Sequence, residues 1–346
     1  MRMRINFIIP STVLGGGLRV AFTYANYLVD QGHDVISYLP GIYRWKDVPK
    51  INIKTSISNS ILRRNKMSWF DVKFPIHVVP NITNTFIRDA DVSIATAWFT
   101  ARNVYDLSES KGKKVYFIQD YEIWNQNKDI VDSTYRLDMK RITITNTLKQ
   151  TIQRECGVDS TVVYNGHSSK EYLHSEKKIN HPRTIIMLGN FASYKGGDVG
   201  LRILEIMHEK YKIRAVIFGA QPKKNLPSFV EYYHQPQRNV LISLYKKADI
   251  YLFPSKQEAW GLSAIEAMAN KVAVVGYRTG CLAEIGKNKE NALIVDVGNE
   301  KALELAVESL MFDDELLATL QNNGYNTVTG LTWEAAGERF EKELFS

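Results

Sequence analysis

Short apolar runs alternate with amphipathic stretches along this chain. The first half contains the runs INFII, DVISYL, DVSIAT, KVYFIQ, RITIT and TVVY, and its stretch LRVAFTYANYLVDQG has helical spacing and ends at a glycine. The pattern starts again with TIIMLG and continues through IRAVIFG, ADIYLF, KVAVVG and ALIVDV. Strands rich in Val and Ile that alternate with helices predict a parallel sheet covered on both faces. Two such series predict an α/β protein with two doubly wound, Rossmann-like domains.

The length of 346 residues agrees with two domains, because one hydrophobic core seldom serves a chain of this size. Residues 166–182 are polar and show no strand pattern, so they are predicted to link a first domain, 1–165, to a second, 183–328. Residues 329–346 predict a closing amphipathic helix. Ligands of open α/β sheets bind beyond the carboxyl ends of the strands, so we expect a site in a cleft between the domains.

The composition is ordinary for a soluble globular enzyme, with 45% hydrophobic and 23% charged residues. No apolar run approaches the roughly 18 residues that suggest a membrane span. The apolar part of MRMRINFIIP is too short for a signal peptide and is interpreted as a first buried strand. Cys156 and Cys281 lie far apart, with no metal-type spacing. We therefore expect a cytoplasmic protein without a bound metal.

The net charge of +7 comes from the first half of the chain. Residues 1–165 hold 22 Lys/Arg and 15 Asp/Glu, whereas residues 166–346 hold 22 of each. A basic half suggests an anionic partner, such as nucleic acid, a phospholipid surface or a lipid-phosphate acceptor, and solubility alone is the competing explanation. Basic and aromatic residues mix at 61–70, which suits docking on an anionic membrane, although a solvated loop explains them equally well. No nucleic-acid-binding motif is present, so we expect no nucleic-acid partner.

Two loops that follow predicted strands contain clustered glycines. PSTVLGGGLRVA, residues 10–21, places three glycines before a helix, where the backbone can approach a phosphate at the helix N-terminus. A flexible turn is the alternative explanation. LGNFASYKGGDVG, residues 188–200, places Lys195 beside two glycines at a helix start. Its ammonium can neutralise a phosphate there, and a solvated loop lysine is the alternative.

A third loop, in FPSKQEAWGLSAIEAMA, contains two glutamates. Glu258 falls in the loop, and Glu266 lies about two turns into a helix that starts near Gly261. The helix start can hold a phosphate through its N–H groups, while the carboxylates accept hydrogen bonds from sugar hydroxyls on either side. The residues around Glu266 make this helix apolar nearly all round, so we expect its carboxylate to have a buried partner.

These residues resemble a known enzyme family. EAWGLSAIE resembles the E-x7-E motif of retaining, family-4-type glycosyltransferases with the GT-B fold, and LYKKADIYLFPSKQEAWGLSAIEAMA is similar to their whole donor-site signature. PSTVLGGGLRV, GYRTGCLAEI and ENALIVDVGNEKALELAV resemble further segments of the family, so the resemblance covers nearly the whole chain. The shorter YFIQDYEIW resembles a subgroup that includes rhamnosyltransferases of surface polysaccharides. The resemblance implies a GT-B fold whose C-terminal helix crosses back to the first domain.

The resemblance also implies a role for each matching residue. Glu266 would bind the ribose hydroxyls, Glu258 would contact the donor sugar, and Lys195 would stabilise the leaving diphosphate. Asp120 is the candidate for an assisting polar role in catalysis. The further residues implied in substrate binding are Gly16 and Gly17 under the diphosphate, Gly261 and Leu262 through their N–H groups, and Ser263, Gln119 and Asn190.

Two positions depart from the family pattern. Many relatives have an arginine where Asn190 stands, in G-R-x-x-x-x-K-G, so one positive charge on the leaving group is missing unless Arg19, Arg278 or a metal supplies it. Gln119 stands where relatives often have a histidine that contacts the donor sugar near its 6-hydroxyl. This replacement suggests a 6-deoxy sugar such as rhamnose.

The sequence therefore predicts transfer of a sugar from a nucleotide-diphospho-sugar to a glycan or lipid-linked acceptor, with retention, in surface polysaccharide or glycoconjugate synthesis. The nucleotide sugar is a substrate, and no cofactor is expected. We expect at most peripheral association with the inner face of the plasma membrane. Two alternatives remain: a GT-B nucleotide-sugar epimerase, against which the E-x7-E stretch argues, and a non-catalytic nucleotide-sugar-binding subunit, which Asn190 favours.

Overall fold

The chain divides into two compact units. A computed structural model describes residues 2–12, 15–41, 66–67, 70–123, 127–220 and 225–346. Most of the basic and aromatic segment 61–70 lies outside these ranges, as do Val13 and Leu14 of the first glycine-rich loop and Trp124. The first unit comprises Met1–Asn165 and Trp333–Ser346, and the second comprises Gly166–Thr332.

The first unit is built on a parallel sheet. Its strands are β1 (Arg4–Ile8), β2 (Asp34–Pro40), β5 (Ile76–Val79), β6 (Val92–Ala95), β7 (Lys113–Ile118), β8 (Lys140–Thr143) and β9 (Thr161–Val162), with a separate antiparallel pair of β3 (Lys66–Met67) and β4 (Phe70–Asp71). The sheet order is β5-β2-β1-β6-β7-β8-β9. Its described helices are α1 (Gly16–Asp30), α2 (Trp98–Tyr105), α3 (Lys128–Tyr135), α4 (Asn146–Cys156) and the C-terminal α11 (Trp333–Phe345).

The C-terminal helix α11 packs on α1. The ring of Phe340 stacks on that of Tyr24, with 4.4 Å between centroids, and Trp333 meets the same ring edge-on at 5.7 Å. A Cβ at Gly337 would come within 2.4 Å of the ring of Tyr27, so glycine allows the two helices to approach closely. The predicted return of the last helix to the first domain is confirmed.

The second unit contains another parallel sheet. Its strands are β10 (Thr184–Leu188), β11 (Arg214–Gly219), β12 (Val230–His234), β13 (Ile250–Phe253), β14 (Ala273–Tyr277) and β15 (Leu293–Val295), in the order β12-β11-β10-β13-β14-β15. The described helices are α5 (Gly197–Tyr211), α6 (Arg238–Lys247), α7 (Leu262–Ala269), α8 (Cys281–Glu284), α9 (Glu300–Ser309) and α10 (Asp314–Val328). The central strands are fully buried because their Val, Ile and Leu side chains meet helices on both faces.

Each sheet reverses its strand order once. In the first unit this happens between β1 and β6, and in the second between β10 and β13. Ligands of doubly wound sheets bind beyond the carboxyl ends of the strands at such a switch point. The predicted fold class, with two doubly wound Rossmann-like domains, is confirmed. The loops after β10 and β13 are those that contain Lys195 and Glu258.

Residues 166–182, predicted as a linker, lie in the second unit and pack against it. Tyr172 is buried, and its hydroxyl donates a hydrogen bond to the carbonyl of Val328 at 2.9 Å. Lys177 Nζ donates to the carbonyls of Tyr245 and Lys246 at the end of α6, and burial lowers the pKa of this lysine to about 8. Across the described ranges, no helix is both long and apolar enough to cross a membrane.

Candidate active site

Lys195 and Glu258 lie on the two sides of the switch point in the second unit. The loop after β10 leads into a 3₁₀ turn, Ser193–Lys195, and the loop after β13 contains Glu258. The Nζ of Lys195 is 2.7 Å from the Oε2 of Glu258, and each side chain is 20% exposed. The hydroxyl of Ser255 donates to the same carboxylate oxygen at 3.2 Å. A lysine is therefore held at the sheet end, within reach of solvent and of an entering anion.

Two glycines allow these loops to pack against the end of β13. Gly196 has a φ of +68° and Gly261 a φ of +88°, in the left-handed region that favours glycine. A Cβ at Gly196 would lie 2.0 Å from the carbonyl oxygen of Pro254, and one at Gly261 would lie 2.8 Å from the ring of Phe253. These glycines immediately precede α5 and α7, and in the part of the chain described no side chain caps either helix start. Two helix N-termini with their N–H groups accordingly lie at this edge of the sheet.

Glu266 lies inside α7 and is only 4% exposed. Its Oε1 is 2.7 Å from Nη1 of Arg238, and its Oε2 accepts a hydrogen bond from the hydroxyl of Tyr245 at 3.3 Å. Burial raises the pKa of Tyr245 well above its ordinary value, and the charge of Glu266 raises it further. The buried partner expected for Glu266 is therefore present, with an ion pair at one carboxylate oxygen and a hydrogen bond at the other.

Tyr251 connects the two glutamates at the end of β13. Its hydroxyl donates to the Oγ of Ser263 at 2.7 Å, and its ring centroid lies 6.1 Å from that of Tyr245. Burial raises the pKa of Tyr251, and the charges of Glu258 and Glu266 both raise it further. Glu258 and Glu266 follow the same strand, β13, and Tyr251 at the end of that strand is hydrogen-bonded to Ser263.

Asn190 shapes the loop after β10 and supplies no positive charge. Its side-chain oxygen accepts a hydrogen bond from the N–H of Ala192, and its carbonyl accepts one from Gly197, both at 3.1 Å. Of the arginines considered as replacements, Arg278 is exposed directly after β14 in this unit, and Arg19 lies on α1 of the first unit. Within the described ranges, no three His, Cys, Asp or Glu side chains are grouped to hold a metal. The absence of a cofactor stays a prediction.

Four predicted residues lie at the switch point of the first unit. Gly16 and Gly17 begin α1, and Gln119 and Asp120 follow β7. A Cβ at Gly17 would lie 3.4 Å from the Oε1 of Gln119, so these two residues are in contact. That oxygen is buried and accepts no hydrogen bond from the described residues. The carboxylate of Asp120 accepts a hydrogen bond from the N–H of Tyr121 at 2.8 Å.

The sequence analysis missed Glu122, which follows Asp120 by two residues. The N–H of Trp98, the first residue of α2, donates to its Oε2 at 2.6 Å. Burial raises the pKa of Glu122 to about 8, this hydrogen bond opposes the shift, and the charge of Asp120 adds to it. The spacing of Asp120 and Glu122 could have indicated it, because side chains two residues apart in an extended chain point to the same side.

The comparison with protein families assigns the second unit. Residues 169–327 match the family model described as glycosyl transferases group 1. Residues 77–148 match a second model, the N-terminal domain of WsaF.

Curated relatives match part of this chain. An uncharacterised glycosyltransferase of Methanocaldococcus jannaschii is 27% identical over 225 residues, which cover 63% of this chain and 59% of that protein. The D-inositol 3-phosphate glycosyltransferase of Corynebacterium diphtheriae is 27% identical over 180 residues, 46% of this chain and 42% of that protein. The chain thus spans less than two thirds of the length of these curated relatives.

The likeness to solved structures extends over the chain. The structure of HepE from Anabaena in complex with UDP-glucose has a TM-score of 0.76, and the match covers 99% of this chain and 100% of that chain. The identity is 15%, so this likeness shows the fold alone. It confirms the GT-B architecture.

Proposed function

We propose that this protein is a glycosyltransferase that moves a sugar from a nucleotide-diphospho-sugar to an acceptor hydroxyl. The observation that carries the proposal is the pair of Lys195 and Glu258 at the switch point, next to the starts of α5 and α7. When the bond between the anomeric carbon and the phosphate oxygen breaks, negative charge develops on the diphosphate. A lysine and two helix N-termini are suited to stabilise that charge where it forms. The match of residues 169–327 to the family model described as glycosyl transferases group 1 supports the proposal.

In this proposal the two glutamates bind the donor nucleotide sugar and do not act as an acid–base pair. Glu258 is paired with Lys195 and Glu266 with Arg238, so both carboxylates are ionised and can only accept hydrogen bonds. Glu266 accepts hydrogen bonds from the ribose hydroxyls, and Glu258 accepts one from a hydroxyl of the donor sugar. The acceptor oxygen bonds to the anomeric carbon, its proton passes to the leaving phosphate oxygen, and the anomeric configuration is retained. Asp120 assists as a polar group in the first unit.

For the donor sugar we propose a 6-deoxyhexose such as rhamnose. The support is Gln119, which lies against Gly17 and stands where relatives that this chain resembles often have a histidine that contacts the donor sugar near its 6-hydroxyl. The segment YFIQDYEIW, which resembles a subgroup that includes polysaccharide rhamnosyltransferases, lies within residues 77–148, the part that matches the N-terminal domain of WsaF. Competition binding of dTDP-rhamnose against UDP-glucose and UDP-GlcNAc tests this choice, and preference for either UDP-sugar would overturn it.

For the acceptor we propose a glycan or lipid-linked hydroxyl in surface polysaccharide or glycoconjugate synthesis. The excess of basic residues in 1–165 favours a partner with negative charge, such as a lipid phosphate at the cytoplasmic face of a membrane. Co-sedimentation with anionic and neutral vesicles tests the membrane part. Equal binding to both vesicle types would contradict it.

The reaction itself is tested by measuring nucleoside diphosphate release from a panel of nucleotide sugars, with and without a mixture of lipid-linked and glycan acceptors. We expect release from one donor, acceleration by one acceptor class and its loss in Lys195→Ala. Analysis of the sugar nucleotide without acceptor separates the epimerase alternative, because an epimerase changes the sugar and leaves the diphosphate bond intact. Absence of turnover with every donor and acceptor would contradict the proposal.

One observation favours a non-catalytic nucleotide-sugar-binding subunit as the second candidate. The amide of Asn190 is turned to its own loop, so its position contributes no cation beside Lys195. A subunit of this kind would bind a nucleotide sugar tightly and release no diphosphate. Restoring the charge with Asn190→Arg distinguishes the two candidates, since it would raise turnover only in an enzyme.

A further inference from the structure

Arg238 bridges two carboxylates in the second unit. Its Nη1 lies 2.7 Å from the Oε1 of Glu266, its Nε donates to the Oε1 of Glu171 at 2.7 Å, and its Nη2 donates to the other oxygen of Glu171. The side chains of Glu266, Arg238 and Glu171 are 6%, 30% and 21% exposed. A guanidinium is a planar fork, so three such contacts fix its orientation and that of the carboxylates around it.

The position of Arg238 is not explained by the helix that contains it. Arg238 is the first residue of α6, where the helix dipole disfavours a cation, and the first turn contains no acidic residue. Tyr245 follows two turns later on the same face and donates to the second oxygen of Glu266. Helix α6 thus supplies a cation to one oxygen and a hydroxyl donor to the other oxygen of a carboxylate that belongs to α7. The position of Arg238 therefore stabilises the carboxylate of Glu266 and does not stabilise helix α6.

Glu171 determines what Glu266 can still bind. With Arg238 alone as partner, the charge of Glu266 would be largely neutralised. Glu171 offsets the charge of Arg238, so the three side chains together retain one negative charge. A carboxylate that is held in place and keeps its negative charge suits neutral hydroxyl donors.

We propose that Arg238 is a positioning residue that, with Glu171 as its counter-ion, holds the Glu266 carboxylate for the hydroxyl groups of a nucleotide ribose. The inference rests on the proposed function of this site. Arg238 does not touch the ligand; it sets the orientation and the net charge of the group that does. Its contribution therefore appears in the preference for ribose hydroxyls and not in affinity for the diphosphate.

The test measures dissociation constants by calorimetry for UDP and for dTDP, each against its analogue without ribose hydroxyls, 2′,3′-dideoxy-UDP and 3′-deoxy-dTDP. Hydrogen bonds to a charged group are worth about 10- to 100-fold, so we expect the parent to prefer one hydroxylated nucleotide by that factor. In Arg238→Gln the preference falls to about threefold or less, while affinity for the dideoxy analogue is unchanged. Arg202→Gln is the matched control, because Arg202 forms an exposed ion pair with Glu300 at 2.7 Å in the same unit.

Three further variants separate the possible failures. Glu266→Gln must abolish the preference; if the parent binds no nucleoside diphosphate, or if this variant keeps the preference, the proposed function of the site fails and takes the inference with it. If Glu266→Gln loses the preference and Arg238→Gln keeps it, the inference alone is overturned. Glu171→Gln lowers the preference, because Arg238 then neutralises Glu266, and Arg238→Lys restores part of it.

Thermal unfolding of each variant accompanies these measurements. A purely structural role for Arg238 would lower the melting temperature and weaken both members of a nucleotide pair equally, which would overturn the inference. If Arg238→Gln does not fold, Glu171→Gln and Arg238→Lys decide the question through the same ratio of dissociation constants. An unchanged ratio in both variants would then overturn it.

Discussion

The ammonium of Lys195 lies 2.7 Å from the carboxylate of Glu258, and the two side chains come from loops on opposite sides of a topological switch point. An incoming diphosphate must share this lysine with the glutamate or displace it. The pair is partly exposed, so it contributes little to folding, about 0–1 kcal/mol by analogy with other exposed pairs. The pair is therefore expected to affect ligand binding and turnover. Single substitutions can separate the effect of Lys195 from that of Glu258.

Lys195→Ala is expected to lower kcat for diphosphate release by about 10²- to 10³-fold, because one donor to the developing charge is lost. The melting temperature should change little. Lys210→Ala is the matched control, since Lys210 forms an exposed pair with Glu308 at 2.9 Å in the same unit. Equal kinetic losses in the two variants would contradict a role for Lys195 at the leaving group.

Glu258→Gln is expected to separate binding from turnover. Removing the carboxylate leaves Lys195 without its counter-charge, so affinity for the free nucleoside diphosphate should rise, by up to about fivefold. Turnover should fall, because the proposed contact with the donor sugar is weakened. Calorimetry with the diphosphate and steady-state kinetics measure the two effects. Weaker diphosphate binding in Glu258→Gln would contradict the prediction that this carboxylate and the diphosphate compete for Lys195.

The two glycine-rich loops should respond differently to added methyl groups. In Gly196→Ala the new Cβ would lie 2.0 Å from a backbone carbonyl at a φ of +68°, so we expect a destabilisation of about 2–5 kcal/mol. At Gly16 no described residue, apart from its chain neighbours and the backbone of its own helix, comes within 4 Å of an added Cβ, so Gly16→Ala should fold normally and reduce only donor turnover. Urea unfolding and kinetics check both. A stable Gly196→Ala would contradict the described loop contact.

Glu122 should make the stability of the protein depend on pH. Its pKa of about 8 in the folded protein exceeds its ordinary value of 4.5, so between these pH values the folded state binds more protons than the unfolded state. Stability contributed by this group therefore falls as pH rises through that window. Glu122→Gln cannot titrate, so its stability relative to the parent should increase from pH 5 to pH 8.

Urea unfolding midpoints at pH 5 and pH 8 measure this effect, and a shift of one pKa unit corresponds to about 1.4 kcal/mol. Glu109→Gln serves as the control, because Glu109 is an exposed carboxylate of the same unit. If parent and Glu122→Gln show the same difference in stability at both pH values, the carboxyl group of Glu122 does not have the raised pKa.

The sequence predicted the central strands of both parallel sheets within two residues, because a strand buried on both faces is a continuous apolar run. Two strands of these sheets were not predicted: β5, which reads IHVV, and β12, which reads VEYYH. Both lie at the edges of their sheets and are only half-buried, so polar and apolar residues mix in them. These two edge strands therefore lack the apolar run from which the buried strands are recognised.

The candidate site was predictable where its residues follow one strand, and not where separate elements meet. Gly261 at the start of α7 and the need of Glu266 for a buried partner followed from the sequence. The identity of that partner, Arg238, did not, because it depends on how α6 packs beside α7. The same holds for Glu122, whose raised pKa comes from its burial in the folded chain.

The binding of a donor nucleotide at Glu266 is best tested by measuring thermal stabilisation of the parent and of Glu266→Gln by a panel of nucleotides and nucleotide sugars. A ligand that binds only the folded state raises its melting temperature. We expect one nucleotide sugar to raise the melting temperature of the parent. Glu266→Gln should lose this rise, and Glu308→Gln, a change at a surface ion pair, should keep it. No shift with any nucleotide sugar, or an undiminished shift in Glu266→Gln, would contradict the assignment of this site to a donor nucleotide.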